Sequence, residues 1–410
     1  MPWQTCNAMD LKRDFVELAD HEGACMKELC ERFGISRPTG YTWLKRYRER
    51  GPGGLSERSR KPHSSPLQTS PETERLIADA RHIHPAWSGR KLRKWLENKG
   101  HTGLPQPSTI TEILRRHGLL TPPPRPDGGR GWQRFERKEP NELWQMDFKG
   151  WIPLANGGRC FPLTVLDDHS RFNLILEACG RETRAEVQPR LERAFATYGL
   201  PEAILCDHGN PWGDSGGYFT GLEAWLLRAG VEVLHGRPRH PQTQGKEERF
   251  HRTLKAEVLS RTTAWRDLRH CQDRFESWRG IYNHERPHAA LAEEVPASRY
   301  RMSHRAMPPV LREAESWYEA GEQVRAVKSK GEMTFKNIFW QIGRGFSGQK
   351  VVMRPLGERC WEVVYCWKRI GVIDLDAVEG KRKGFYERLQ NRFDRPPEDP
   401  ESVKEVSEHL

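Results

Sequence analysis

Asp147, Asp207 and Glu248 stand where packing does not call for acids. Asp147 interrupts an apolar run among Trp144, Met146 and Phe148, Asp207 follows Ile204-Leu205-Cys206 at the end of a short strand pattern, and Glu248 opens a helical one. A carboxylate inside or at the end of a buried strand is costly unless it is paired or binds a metal. Three of them in one sheet suggest a shared cation. Oxygen donors without thiolate or imidazole partners favour a hard ion, Mg2+ or Mn2+. Two such ions a few ångströms apart activate a water or a 3′-hydroxyl and stabilise the leaving oxygen of a phosphodiester. The chemistry implied is cutting or joining of DNA.

The helix that carries Glu248 sharpens this expectation. At about 100° per residue, Arg252 and Lys255 fall within roughly 40° of Glu248, while Phe250, Leu254 and Val258 form a separate apolar stripe. Arg252, Lys255 and Lys246 are then placed to hold DNA phosphates beside the metal-binding carboxylate. Glu247 is rotated about 100° away, towards the packing side. Asp167 and Asp168 are expected to shape and cap a turn. His169, His208, His235 and His240 read as turn or DNA-facing residues, because no His/Cys spacing supports zinc.

The elements that must position these residues follow from periodicity. Strand patterns over 143–151, 160–166 and 171–178 form a meander. A helix at 183–198, a strand at 203–206, a helix at 220–229, a strand at 231–234 and a helix from 246 complete the order βββαβαβα, a mixed α/β sheet with helices on its faces. Upstream, 9–50 reads as three helices in a helix-turn-helix pattern. Leu11, Phe15 and Leu18 face inward in the first, and Met26, Leu29, Cys30 and Phe33 in the second. The third, capped by Ser36, buries Tyr41, Leu44 and Tyr47 and turns Arg37, Thr42, Lys45 and Arg46 to a major groove. Downstream, six strand candidates over 322–375 predict a small all-β barrel whose core takes Trp340, Trp361 and Trp367.

The expected domains are a helix-turn-helix at 1–55, a basic linker at 56–70 with Arg58, Arg60 and Lys61 tracking phosphates, and a second helical DNA-binding unit at 71–120. A Pro/Gly-rich linker at 121–140, the α/β core at 141–300, the barrel at 301–378 and a tail at 379–410 follow. Charge agrees with this division. The 410 residues hold 67 Lys and Arg against 56 Asp and Glu, a net +11, and residues 1–140 alone contribute +9. Lys and Arg that neutralise phosphates supply most non-specific nucleic-acid affinity, so the basic front end reads as a DNA-gripping arm. No window approaches the roughly 20 apolar residues of a membrane span, and no apolar signal segment opens the chain, so a cytoplasmic protein is expected. Nine scattered cysteines without a Cys-x-x-Cys pair imply reduced, mostly buried thiols.

Taken in order, the segments 143–148 (LWQMDF), 166–171 (LDDHSR), 206–209 (CDHG), 240–250 (HPQTQGKEERF) and 282–288 (YNHERPH) closely resemble bacterial insertion-sequence transposases with a retroviral-integrase-like core. The likeness runs from the amino-terminal helix-turn-helix to about residue 300. It implies an RNase-H-like fold and a DDE triad on Asp147, Asp207 and Glu248. It also implies magnesium-dependent hydrolysis at the ends of the element and attack of the freed 3′-hydroxyls on target DNA. The partners implied are double-stranded transposon-end and target DNA and further copies of the chain in a multimer that pairs both ends. Forty residues between Asp207 and Glu248, Gln244 in place of a common Asn and Glu247 in place of an apolar residue depart from the pattern. Two other readings are a domesticated DNA-binding regulator with a dead core and an RNase-H-like nuclease without strand transfer. The intact acids with Lys255 in register argue against the first, and the paired helical units against the second.

Overall fold

The computed structural model describes residues 7–57, 68–120, 136–213, 218–236, 245–378 and 386–388. The chain forms two compact units, Met1–Thr69 and Ser70–Leu410. Arg58, Arg60, Lys61 and His240 lie outside the described residues.

The first unit contains α1 (Ala8–Ala19), α2 (Met26–Arg32) and α3 (Arg37–Arg50). Its core is Phe15, Val16, Ala19, Cys30, Leu44 and Leu55. Gly34, at φ +62°, makes the turn into α3, and Ser36 Oγ accepts from the Thr39 amide as its N-cap. Two faces differ from those expected. Leu11 and Leu18 are largely exposed and α1 packs through Phe15, Val16 and Ala19 instead. Tyr41 is 57% exposed, because α3 approaches its neighbours through Gly40, where a Cβ would lie 2.7 Å from Cys30 Sγ and 2.8 Å from Phe15 Cζ. The missing side chain at Gly40 therefore sets the rotation of α3, which a count of apolar residues does not reveal.

The second unit begins with α4 (Pro71–Ile83), α5 (Gly89–Asn98) and α6 (Pro107–Arg116), packed around Ile77, Trp87, Leu92, Leu96, Ile110, Ile113 and Leu114. The strands β1 (Leu143–Phe148), β2 (Ile152–Pro153), β3 (Arg159–Asp167), β4 (Asn173–Cys179), β5 (Ala203–Cys206) and β6 (Glu232–His235) follow. β3 lies antiparallel to both β1 and β4, while β1, β5 and β6 run parallel. The helices α7 (Arg184–Tyr198), α8 (Gly221–Arg228), α9 (Gly245–Glu257) and α10 (Leu268–His284) cover the sheet. α7 and α8 share one apolar cluster with Trp144, Met146, Val165 and Ile204, and α9 and α10 share another with Cys160, Leu166 and Leu176. This is the mixed α/β sheet with helices on its faces that the sequence predicts, preceded by helical units.

α10 also stitches the free edge of β4. The Asn283 amide accepts from Asn173 N (2.8 Å) and donates to Asn173 O (3.0 Å), Arg279 donates to Leu174 O, and Gln272 accepts from Ala178 N. The YNHERPH segment is thus structural. Tyr282 and Asn283 are buried, and Arg286 pairs with Glu257 at 2.9 Å.

The carboxy-terminal region is β-rich. β7 (Gln323–Ala326), β10 (Lys350–Pro355), β11 (Cys360–Tyr365) and β12 (Lys368–Asp374) form one sheet, and β8 (Glu332–Phe335), β9 (Ile338–Gln341) and β13 (Tyr386–Arg388) another. Trp340 and Trp361 sit in their common core, but Trp367 is 38% exposed and donates to Leu227 O of α8. Phe219, Ala224 and Leu227 belong to this same core.

Candidate active site

The sheet brings Asp147 and Asp207 together. β1 and β5 pair in parallel as Leu143↔Ala203, Trp144↔Ile204 and Gln145↔Leu205. Carrying that register two residues on sets Asp147 against Asp207 on one face, since strand side chains alternate with a period of two. Both lie at the carboxyl ends of their strands, where open α/β sheets hold ligands. Asp147 Oδ1 accepts from Phe148 N (2.8 Å) and Asp207 Oδ1 from Gly209 N (2.8 Å).

Asp147 is half-buried, and its carboxyl is pushed up to about 7, first by burial and then by the negative field of Asp207. Lys149 offsets only part of this. Glu182, in the bend before α7, adds a third negative charge and is itself raised by burial and by Asp207. Nothing in its sequence neighbourhood singled out Glu182. His251 Nδ1 stands 3.8 Å from Asp147 Oδ2, yet burial lowers this imidazole to about 3, so it is neutral and supplies no countercharge. Crowded carboxylates short of positive charge are the donor set a hard divalent cation fits.

Glu248, Arg252 and Lys255 are exposed together on α9. Glu247 points inward and is fully buried, with Thr164 Oγ1 donating to it at 3.0 Å and its own pKa raised well above the ordinary range by burial and by Asp147. Among the described residues, no three His, Cys, Asp or Glu side chains group closely enough to hold a metal ion. Asp147 and Asp207 are neighbours in the sheet, and Glu248 is exposed on the outer face of its helix.

Lys246 is turned inward. Its ammonium pairs with Asp168, which also accepts from Gln145 Nε2 (2.7 Å) and Arg137 N (2.8 Å). Burial, and then Arg171, lower Lys246 to about 8. Asp167 accepts from Ser170 N and Oγ and from Asn141 N, which builds the turn between β3 and β4. In the first unit Arg37, Thr42 and Lys45 are exposed on α3. Thr42 Oγ1 donates back to Pro38 O at 2.7 Å, Lys45 lies 3.9 Å from Glu49, and Arg46 stacks on Trp43 at 4.9 Å.

Comparison with known proteins follows the same order along the chain. A helix-turn-helix domain family matches residues 11–63 and a homeodomain-like domain family residues 39–114. Two integrase core domain families match 137–241 and 229–296, and the C-terminal domain of the IS481 family transposases matches 322–381. The chain is 30% identical over 167 residues to an uncharacterized 31.7 kDa protein of insertion element IS407 from Burkholderia multivorans, covering 41% of this chain and 57% of that one. It is 29% identical over 158 residues to an uncharacterized 39.2 kDa protein of insertion element IS476 from Xanthomonas euvesicatoria, covering 38% and 44%. The match thus spans about half the length of these relatives. Among solved structures, the simian T-cell lymphotropic virus intasome in complex with PP2A regulatory subunit B56 gamma is similar at 16% identity and a TM-score of 0.35, covering 66% of this chain and 91% of that one. Integrase core matches thus run through the sheet, helix-turn-helix matches over the amino-terminal helices, and a match to the C-terminal domain of IS481 family transposases over the last strands.

Proposed function

We propose that this chain is a DNA strand transferase that binds the terminal repeats of its insertion sequence, hydrolyses a phosphodiester bond at each end and joins the freed 3′-hydroxyls to target DNA. The observation that carries this reading is the register of β1 and β5, which aligns Asp147 with Asp207 and leaves Asp147 short of countercharge. Asp147 and Asp207 would hold magnesium or manganese, two ions per site, with Glu248 completing the ligand set from α9. Bound there, the ions would supply Lewis acidity to the phosphoryl oxygens and favour the ionised form of the attacking oxygen.

The chain's own residues do the remainder. The Phe148 and Gly209 amides fix one oxygen of each aspartate. Arg252 and Lys255, exposed beside Glu248, hold the phosphates flanking the reacting bond. Arg37, Thr42 and Lys45 on α3 meet base edges and backbone of the terminal repeat, and Arg58, Arg60 and Lys61 track phosphates. Lys246 has another task, since its ammonium neutralises buried Asp168.

The test uses the full chain, a labelled terminal-repeat duplex, target plasmid and Mg2+ or Mn2+. Asp147→Asn, Asp207→Asn and Glu248→Gln should each bind the duplex as the wild type does and lose strand transfer by at least a hundredfold. Wild-type binding with no cleavage under either ion overturns the reading and favours a DNA-binding regulator. Cleavage without joining favours a nuclease.

A further inference from the structure

His235 and Glu223 form a buried pair beside Asp207 that the reaction as described does not account for. His235 ends β6 and pairs with Cys206 across the sheet. Its Nδ1 lies 2.6 Å from the carbonyl oxygen of Asp207, and its Nε2 lies 2.9 Å from Glu223 Oε1. The two side chains are 3% and 2% exposed. A carbonyl oxygen only accepts, so Nδ1 carries a hydrogen and donates it to Asp207, and the second nitrogen shares a proton with Glu223. Glu223 is fixed in turn, because it is the third residue of the α8 capping box. Thr220 N donates to Glu223 Oε2 at 2.7 Å, and Glu223 N donates to Thr220 Oγ1 at 3.3 Å. His208 stacks on His235 at 4.9 Å and donates to Gly236 O at 2.8 Å.

Burying a carboxylate against an imidazole is seldom worth its desolvation when an apolar pair would fill the space. Outer residues that hydrogen-bond a metal ligand fix its orientation, and a buried imidazole on the peptide of Asp207 is placed to do so. We propose that Glu223 and His235 are positioning residues for Asp207. His235 holds the Asp207 peptide, so that the carboxylate, fixed on its other side by Gly209 N, faces Asp147, and Glu223 holds the imidazole in place. This inference rests on the metal-binding role given to Asp207 above. It also gives the start of α8 a part in the active site, ten or more residues from any of the three acids.

Two substitutions separate the halves of the relay. In His235→Asn the side-chain amide nitrogen overlies Nδ1 and keeps the bond to Asp207. In His235→Gln it overlies Nε2 and keeps only the bond to Glu223. The full chain is titrated with Mn2+ in a calorimeter, the thermal midpoint is measured for each variant, and exchange of the Gly209 amide is followed. We expect His235→Asn to bind Mn2+ within about threefold of the wild type and His235→Gln to bind about 10- to 100-fold more weakly, as outer residues of metal sites do, with matching thermal midpoints. Gly209 should exchange at least tenfold faster in His235→Gln alone. Equal Mn2+ affinity in the wild type and His235→Gln overturns the proposal, as does a parallel loss in both variants that follows the thermal midpoint. If the wild type binds no Mn2+, the metal reading of Asp207 fails, and the positioning claim then stands or falls on the Gly209 exchange.

Discussion

Asp147 shows what a single carboxyl gives up to occupy this place. Its folded-state pKa, about 7 against an ordinary 3.8, means that the fold binds this proton more tightly than the unfolded chain does. The stabilisation is complete below about pH 4 and is lost as pH rises through 7. Metal-free protein should therefore be less stable at pH 8 than at pH 5 on account of this group. Asp147→Asn should remove that dependence and raise metal-free stability at pH 8 by about 1–2 kcal/mol, less than the whole shift because the side chain is partly exposed. Thermal unfolding at the two pH values checks this, and Mn2+ should raise the midpoint of the wild type but not of the variant. At this scale the sequence was informative where an acid stood out against apolar neighbours, as for Asp147 and Asp207. It was uninformative for Glu182, whose neighbours are ordinary, and for Lys246, whose partner Asp168 is 78 residues away.

The helices tell a similar story about range. α5 lies within 71–120, where a second DNA-binding unit is expected, and carries Arg90, Lys91, Arg93 and Lys94. In the fold several of its cations meet acids at and beyond the end of α10. Lys94 pairs with Glu294 at 2.9 Å, a residue 200 positions on, Lys99 lies 3.4 Å from Glu285, and Trp95 Nε1 donates to the same carboxylate at 3.0 Å. The Trp95 bond, then Lys99, hold Glu285 below its usual range. Ser108, Thr109, Arg115 and Arg116 of α6 are exposed. Glu285→Lys should cost about 1–2 kcal/mol through the lost charged hydrogen bond. It should speed amide exchange in 89–98 while the middle of α10 stays protected, and unchanged exchange in α5 would argue against this docking. The helical character of 71–120 was legible locally, but the acidic partners of α5 come from 285–294, which no local pattern reports.

Across the whole molecule, the order of parts was legible because each has its own period: helical to residue 120, strand-like from 143, strand-rich again after 322. The cores do not respect that order. Phe219, just before α8, and Ala224 and Leu227 within it are buried with Val351, Trp361 and Ile373 of the last strands, and Lys368 pairs with Glu232. A chain cut at residue 300 would return these three apolar side chains to water, at about 1.5–3 kcal/mol for each of the larger two. A 136–300 fragment should therefore melt several degrees below a 136–378 fragment and aggregate sooner, which scanning calorimetry and light scattering measure; equal midpoints would show the sheets to be dispensable.

Copies of this chain have one route to association closed. β4 is an edge strand, and an unpaired edge is the usual template on which a second chain adds its own strand. Here the backbone groups that would accept such a strand, at Asn173, Leu174 and Ala178, are already taken by Asn283, Arg279 and Gln272 of α10. A second copy therefore cannot extend this sheet by adding a strand at these positions of β4, and the same stitching protects a newly made chain from sticking to its neighbours at that edge.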